Sequence, residues 1–184
     1  MSTKHVLSVE ECQLLLEVAK KSDHFLKMGY VLCKTMLRTG LRNSEVVQLT
    51  YSQIDLEQNV IHIKKDNKIN GSIIPIDCEL ADELIQYLSH PAYLRWISSG
   101  KEQVFFIKDK PFDGNSLTIF IKELAFKAGI KKIITPRNLR YTFAYTLKTN
   151  NFSPLEMKEL LRLDSMESVS RYLFIPNHYL RLLK

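Results

Sequence analysis

Three short segments of this chain carry residue types suited to handling an anion. The first is Thr39-Gly40-Leu41-Arg42-Asn43-Ser44-Glu45. Gly40 is a natural helix stop, and a new helix can begin just after Arg42. A guanidinium would then sit at a helix junction beside free backbone N–H groups, a good place for an anion. Glu45, three residues on, is spaced to orient Arg42. The second segment is Thr135-Pro136-Arg137-Asn138-Leu139-Arg140-Tyr141. Arg137 and Arg140 are three apart and share a helix face in its first two turns, where they repel unless an anion sits between them. Leu139, Phe143 and Leu147 form the neighbouring apolar face. The third runs from Leu160 to Phe174 and carries Tyr172 directly after Arg171, with apolar Val169 and Leu173 on either side. Taken singly, each has a plain reading. Arg42 is a surface arginine after a C-cap glycine, the arginine pair is a solvated basic face, and Tyr172 is a half-buried core residue, one of eight tyrosines.

Helices must position most of these residues. Ser8 and Glu11 form a plausible capping box, after which Val9, Cys12, Leu15, Leu16 and Ala19 fall on one helical face. Ser22 or Asp23 is suited to cap a second helix, in which Phe25, Met28, Leu32 and Met36 recur at spacings of three and four. A short third helix fits Ser44 to Leu49. The period then changes. Residues 59–65 alternate and are rich in β-branched types, and residues 72–76 follow a polar stretch, which predicts a hairpin with Asn70-Gly71 in or near its turn. Pro75 suits an edge or the end of a strand. Helices resume at about Glu79 to Leu88 and after Pro91, and residues 104–107 are a short strand candidate. Asn115 or Ser116 can cap a helix carrying Leu117, Phe120, Ile121, Leu124 and Ala128. Pro136 fits the first turn of another, running to about Lys148. Ser153-Pro154 begins the next, and a last helical stretch covers about Met166 to Phe174 before a short tail helix after Pro176. The expected fold is mainly α with a small antiparallel β-sheet, an α+β domain spanning residues 1–184 as one unit.

The 184 residues are enough to bury a core, and the mix of 45% hydrophobic and 25% charged residues is that of a soluble globular protein. No apolar run approaches the ~20 residues needed to cross a bilayer. Residues 1–11 lack the basic head and apolar stretch of a secretory signal. Cys12, Cys33 and Cys78 are odd in number and fit no metal-binding or redox spacing. They read as buried reduced thiols, which suits a cytoplasmic setting. The net charge of +6 and pI of about 9.2 suit an anionic partner, with DNA the first candidate.

Taken together and in order, these segments resemble the phage integrase, or tyrosine recombinase, family. The pattern is an arginine after Thr39-Gly40-Leu41 with Ser44-Glu45 following, a hairpin with a lysine, an arginine pair after Thr135-Pro136, then Leu160-Leu161 and a tyrosine about eleven residues later. The resemblance covers about Leu7 to Leu183. It implies a catalytic-domain fold that cleaves and rejoins double-stranded DNA through a 3′-phosphotyrosine link, with no metal and no cofactor. Arg42 and Arg140 would clamp the scissile phosphate, Glu45 would steady Arg42, and Tyr172 would be the nucleophile. A hairpin lysine would protonate the leaving 5′ oxygen; Lys65 is favoured, with Lys64 and Lys68 as alternatives. Phosphate contacts are expected from Lys64, Lys65, Lys68, Lys122, Lys127, Lys131 and Lys132, most of which also read as solvated surface. The resemblance further implies self-association on DNA, with the tail from Asn177 to Lys184 docking on a neighbouring subunit or packing on its own domain.

Two positions depart from the family pattern. Arg137 stands where the family usually has histidine; it can donate to a phosphate but cannot act as a base. Leu163 stands where the family usually has histidine or tryptophan, nine residues before the tyrosine, and can donate nothing. Arg162 is adjacent but is expected to point elsewhere on a helix. None of His5, His24, His62, His90 and His178 falls at a family catalytic position. The N-terminal helical domain usual in the family does not precede this segment, so the chain is expected to be either a short one-domain recombinase or a fragment. Weak but real cleavage is expected. The rival readings are a recombinase-derived DNA-binding regulator that keeps the arginines for grip alone, and a nicking-closing topoisomerase.

Overall fold

The computed structural model describes residues 6–65 and 68–173; for residues 65 and 68–70 it is the backbone that is described. Helix α1 (Val9–Ser22) opens on the expected capping box: Glu11 N donates to Ser8 Oγ at 3.1 Å, and Ser8 N to Glu11 Oε2 at 2.7 Å. Leu15 and Ala19 are buried, but Val9 is exposed along a surface groove rather than in the core. Helix α2 (Met28–Thr39) starts later than the periodicity suggests. Phe25 lies outside it, exposed and edge-on to His90, because Asp23 turns the chain first by accepting from Leu26 N and Met28 N.

Nearly every residue of α2 from Met28 to Met36 is buried, which makes it the central helix. It ends at Gly40, whose φ of 59° is left-handed and whose N–H bonds Met36 O at 2.9 Å. A Cβ at Gly40 would lie 2.2 Å from the Phe143 ring, so both the backbone and the packing require glycine there. Helix α3 (Asn43–Gln48) follows, then a 3₁₀ turn, Tyr51–Gln53.

Strands β1 (Ile54–Asp55), β2 (Val60–Lys65) and β3 (Lys68–Pro75) form an antiparallel sheet in that order. Ile61 and Ile74 pair face to face and are buried, and Pro75 ends the edge strand as expected. The predicted turn position is corrected. Asn70-Gly71 lies inside β3, opposite a register shift between Ile63 and Lys65. A Cβ at Gly71 would fall 1.3 Å from Ile63 O, so the glycine serves close backbone approach at a bulge, not the hairpin tip.

Helix α4 (Cys78–Leu88) packs beside α2 and α5 (Pro91–Ser98) against α4, and β4 (Phe106–Ile107), within the strand candidate at 104–107, pairs with β5 (Lys110–Pro111), a partner that periodicity did not indicate. Helix α6 (Gly114–Lys127) is capped by Asp113, not by Asn115 or Ser116. Helix α7 (Pro136–Thr149) starts with Pro136 in its first turn and packs against α2. Helix α8 (Pro154–Leu160) has the Ser153–Glu156 box, and α9 (Met166–Leu173) carries Tyr172. Phe143, Ala144, Leu147, Met157, Leu161 and Val169 form a second buried cluster that clamps α8 and α9 onto α7. At roughly 1.5–3 kcal/mol per large buried side chain, this cluster holds the tyrosine helix in place.

The fold is mainly α with small antiparallel sheets, as expected. The three thiols are free, but only Cys33 is fully buried; Cys12 is partly covered and Cys78 is exposed at the start of α4. Burial in an apolar setting pushes the Cys33 thiol up to about 12. No helix among the described residues is long and apolar enough to cross a membrane.

Candidate active site

The three segments meet. Gly40 ends α2 at the point where α7 and the α8–α9 turn pack against it, and its carbonyl accepts from Arg140 Nη1 at 2.6 Å and from Arg162 Nη2 at 3.1 Å. Arg140 is buried. Its Nη2 donates to Leu161 O, and its Nε lies 3.3 Å from the Tyr172 hydroxyl. Arg42 N donates to Glu45 Oε2 at 2.6 Å, and Arg42 Nη1 to Glu45 Oε1 at 2.8 Å, so Glu45 holds both the backbone and the side chain of Arg42. Arg137, one turn before Arg140, is exposed; its Nη2 donates to the Tyr141 hydroxyl at 3.0 Å, and its guanidinium lies over that ring. The Tyr141 and Tyr172 rings are 5.1 Å apart. Lys148 Nζ donates to Leu173 O at 2.6 Å and so braces the end of α9 from the far end of α7.

These side chains line a cavity of about 480 Å³ with Arg42, Arg137, Arg140, Arg171, Tyr172 and Asp164 in its wall. Four arginines against one carboxylate leave an excess of cationic charge in a partly enclosed space, which suits a phosphate diester. A neighbouring cavity of about 800 Å³ lies between the hairpin and α8, with Lys64, Arg42, Glu45, Arg162 and Leu163 among its lining. Leu163 touches both cavities, packs against the second apolar cluster and brings no donor.

Arg162 corrects the sequence-based expectation. It is not on a helix, but one residue past the α8 C-cap at a left-handed φ of 54°. Its N–H bonds Glu159 O and that of Leu163 bonds Lys158 O, each at 2.9 Å, the pattern of a Schellman cap. The turn swings the side chain inward. Nε reaches Glu45 Oε1 at 3.0 Å and Nη2 reaches Glu45 Oε2 at 2.8 Å. The signal that could have found it is the end of α8 in the sequence, since a residue at that point takes its direction from the cap and not from the helical period.

Charge and burial set the ionisation of these groups. Burial raises the Glu45 carboxyl, but the hydrogen bonds and charges of Arg162 and Arg42 outweigh it, and the net position is below the usual carboxylate range. Burial pulls Arg140 down from the usual arginine value, opposed by the Tyr172 hydroxyl, with Arg162 and Arg42 adding like-charge repulsion. Arg137 is held above its usual value, first by the hydrogen bond to Tyr141.

The lysines divide. Lys64 lines the larger cavity. Lys65 and Lys68 face each other in the backbone register that closes the hairpin, and their side chains lie outside the described residues. Asn43 Nδ2 donates to Gly114 O at 3.0 Å and ties the start of α6 to the Arg42 junction. At ~1.5 Å per residue, Lys122 lies about 12 Å along that helix and Lys127 about 20 Å. Both are exposed, as is Lys131. Lys132 is turned inward, onto Glu11 Oε2 at 2.6 Å and Val6 O at 2.5 Å. The tail from Asn177, His5 and His178 lie outside the described residues.

Comparison with known proteins gives a consistent result. A model of the Phage integrase family matches residues 5–176. The chain is 28% identical over 157 residues to a tyrosine recombinase XerD of Halalkalibacterium halodurans, covering 84% of this chain and 52% of that protein. The crystal structure of XerA recombinase superposes with a TM-score of 0.80 at 27% identity, over 96% of this chain and 61% of that one. A post-cleavage complex of XerH site-specific recombinase bound to palindromic difH substrate shares the fold, with a TM-score of 0.76 at 20% identity over 96% of this chain and 51% of that one. The chain spans about half the length of the curated relatives it matches.

Proposed function

The chain belongs to the phage integrase family, and on that footing we propose that residues 1–184 act as one catalytic domain of a site-specific DNA recombinase in the cytoplasm. It breaks and rejoins double-stranded DNA through Tyr172. The observation that carries this reading is the Tyr172 hydroxyl 3.3 Å from Arg140 Nε, in one cavity with Arg42 and Arg137. A regulator that only gripped DNA would have no use for a phenol on the buried arginine.

In this mechanism a scissile phosphate enters the cavity, and Arg42, Arg140 and Arg137 donate to its non-bridging oxygens. Their charge offsets the diester's own and stabilises the pentacovalent transition state. The Tyr172 hydroxyl gives up its proton to water as the attack proceeds. The Tyr172 oxygen bonds to phosphorus, and the P–O bond to the 5′ oxygen breaks. A hairpin lysine gives that oxygen its proton. Lys65 is the sequence-favoured donor, Lys64 is supported by its place in the neighbouring cavity, and Lys68 is the third alternative. The 3′-phosphotyrosine keeps the bond energy, so a 5′ hydroxyl from another strand can reverse the step. With Leu163 unable to donate, the chemistry lacks a contact worth roughly 3 kcal/mol in such sites, which makes cleavage slow but real. Binding would draw further on Lys122, Lys127, Lys131 and, once released from Glu11, Lys132. Its affinity would fall linearly on a log–log plot against salt. Self-association on DNA, with the tail from Asn177 reaching a neighbour, completes the proposal.

The test is covalent trapping on nicked suicide duplexes tiled across the DNA flanking the gene. The wild type should leave a denaturant-stable protein–DNA adduct, and Tyr172→Phe should bind equally well and leave none. Absence of any wild-type adduct would sink the enzyme reading.

A further inference from the structure

We infer that Arg162 is a positioning residue for the phosphate clamp: from the turn that precedes the Tyr172 helix, its side chain and its carbonyl together fix the direction of Arg42. This rests on the reading above, in which Arg42 grips the scissile phosphate.

Donor geometry separates the roles of the two arginines. A guanidinium has five N–H donors. Arg162 makes four hydrogen bonds with them: Nε and Nη2 to the two Glu45 oxygens, Nη2 to Gly40 O, and Nη1 to Leu160 O at 2.6 Å. Its side chain is 4% exposed, so its donors are spent within the protein. Arg42 makes two side-chain bonds, to Glu45 Oε1 and to Arg162 O, and its side chain is 39% exposed beside the cavity. Arg42 therefore has donors to spare for a phosphate, and both of the groups that hold it trace back to Arg162. One is Glu45, gripped in a two-pronged pair that lysine cannot reproduce. The other is the Arg162 main chain itself.

The location supports this role. Arg162 takes the left-handed C′ position of a Schellman cap, which glycine occupies without strain. A long buried side chain at that position is there despite the backbone, not because of it. Arg162 also shares the Gly40 carbonyl with Arg140, so a single atom links the phosphate-gripping Arg140 to the segment leading into α9. Leu163, next in the chain, cannot bond a phosphate, which leaves the clamp dependent on how firmly Arg42 is aimed.

The experiment uses Arg162→Gly, which suits the left-handed backbone, and Arg162→Lys, which keeps the charge but loses the fork. Both are tested on the nicked duplexes above, and in the free protein by ¹⁵N arginine NMR. The expected result is duplex affinity within about twofold of wild type, single-turnover adduct formation slowed about a hundredfold in both variants, and collapse of the two separate Nη signals of Arg42 into one. Adduct rates within about twofold of wild type would overturn the inference. If the wild type gives no adduct at all, the proposed function fails, and the NMR decides the inference alone: unchanged Arg42 signals in Arg162→Gly would overturn it, and averaged signals would support it.

Discussion

Two clusters of cations lie along and just beyond α2, and they are built on different principles. Near its middle, Lys34 is 5% exposed at its side chain, yet it is matched by Glu79 Oε1 at 2.9 Å, Glu83 Oε1 at 3.6 Å and the Tyr30 hydroxyl at 3.0 Å, while Arg38 meets Asp77 and Glu79. Every cation there has its own carboxylate, and three acidic residues against two basic ones leave no positive excess. At the C-terminal end of the same helix, Glu45 serves both Arg42 and Arg162, while Arg140 is satisfied by carbonyls and a phenol. A buried cation with a carboxylate of its own contributes to the fold. Cations that outnumber the carboxylate they share leave a positive excess, which suits an anion from outside.

The most damaging change to the second cluster is Arg140→Ala. It removes one of the two donors to Gly40 O and the donor to Leu161 O, and frees the Tyr172 hydroxyl. Adduct formation should fall by about a thousandfold or more, with stability lower by about 3 kcal/mol in urea denaturation. Glu45→Gln comes next, at about a hundredfold in adduct rate and about 3 kcal/mol at neutral pH, because Arg162 is left buried without its partner. This variant also sharpens the electrostatic account. The Glu45 carboxyl titrates below its usual value in the folded protein, so the unfolded chain binds its proton first as the pH falls. Its stabilising contribution is full above the unfolded value of about 4.3 and is lost below it, through the lowered folded value. Wild type and Glu45→Gln should therefore converge in stability as urea curves are taken down through that range; curves that stay parallel would mean Glu45 is not ion-paired.

Gly40→Ala tests the hinge between the clusters. The methyl group meets the Phe143 ring at a left-handed backbone position, and about 2 kcal/mol of stability should be lost, with adduct formation slowed through the displaced carbonyl. At the small end, Arg38→Ala removes an exposed pair that solvent screens well. Its urea midpoint and duplex affinity should match wild type within error. A loss comparable to that of Arg140→Ala would erase the difference between the two clusters.

Much of the site was legible in the chain because local rules govern it. Gly40 announced a helix stop, and Pro136 a helix start that sets Arg137 and Arg140 on one face. The short spacing from Arg42 to Glu45 is closed by a single turn. The misreadings came where longer-range packing overrode a local preference. Asn70-Gly71 has the composition of a hairpin turn but serves a bulge, because the approach of Ile63 O leaves no room for a Cβ. Phe25 has the right spacing for α2, but Asp23 had already turned the chain. Lys132 looked like a surface cation until Glu11 came within reach from α1.

By itself, then, the order of residues determined the helical character and the hairpin, since period, caps and spacing act over a few residues, while the candidate arginines and tyrosine were picked out by the family resemblance. Only the tertiary structure decided that those groups share one cavity, that Arg140 is buried while Arg137 is open, and that Arg162 turns inward to hold Glu45. Those outcomes depend on contacts between residues as much as 122 positions apart, and on a left-handed turn whose direction no helical period encodes.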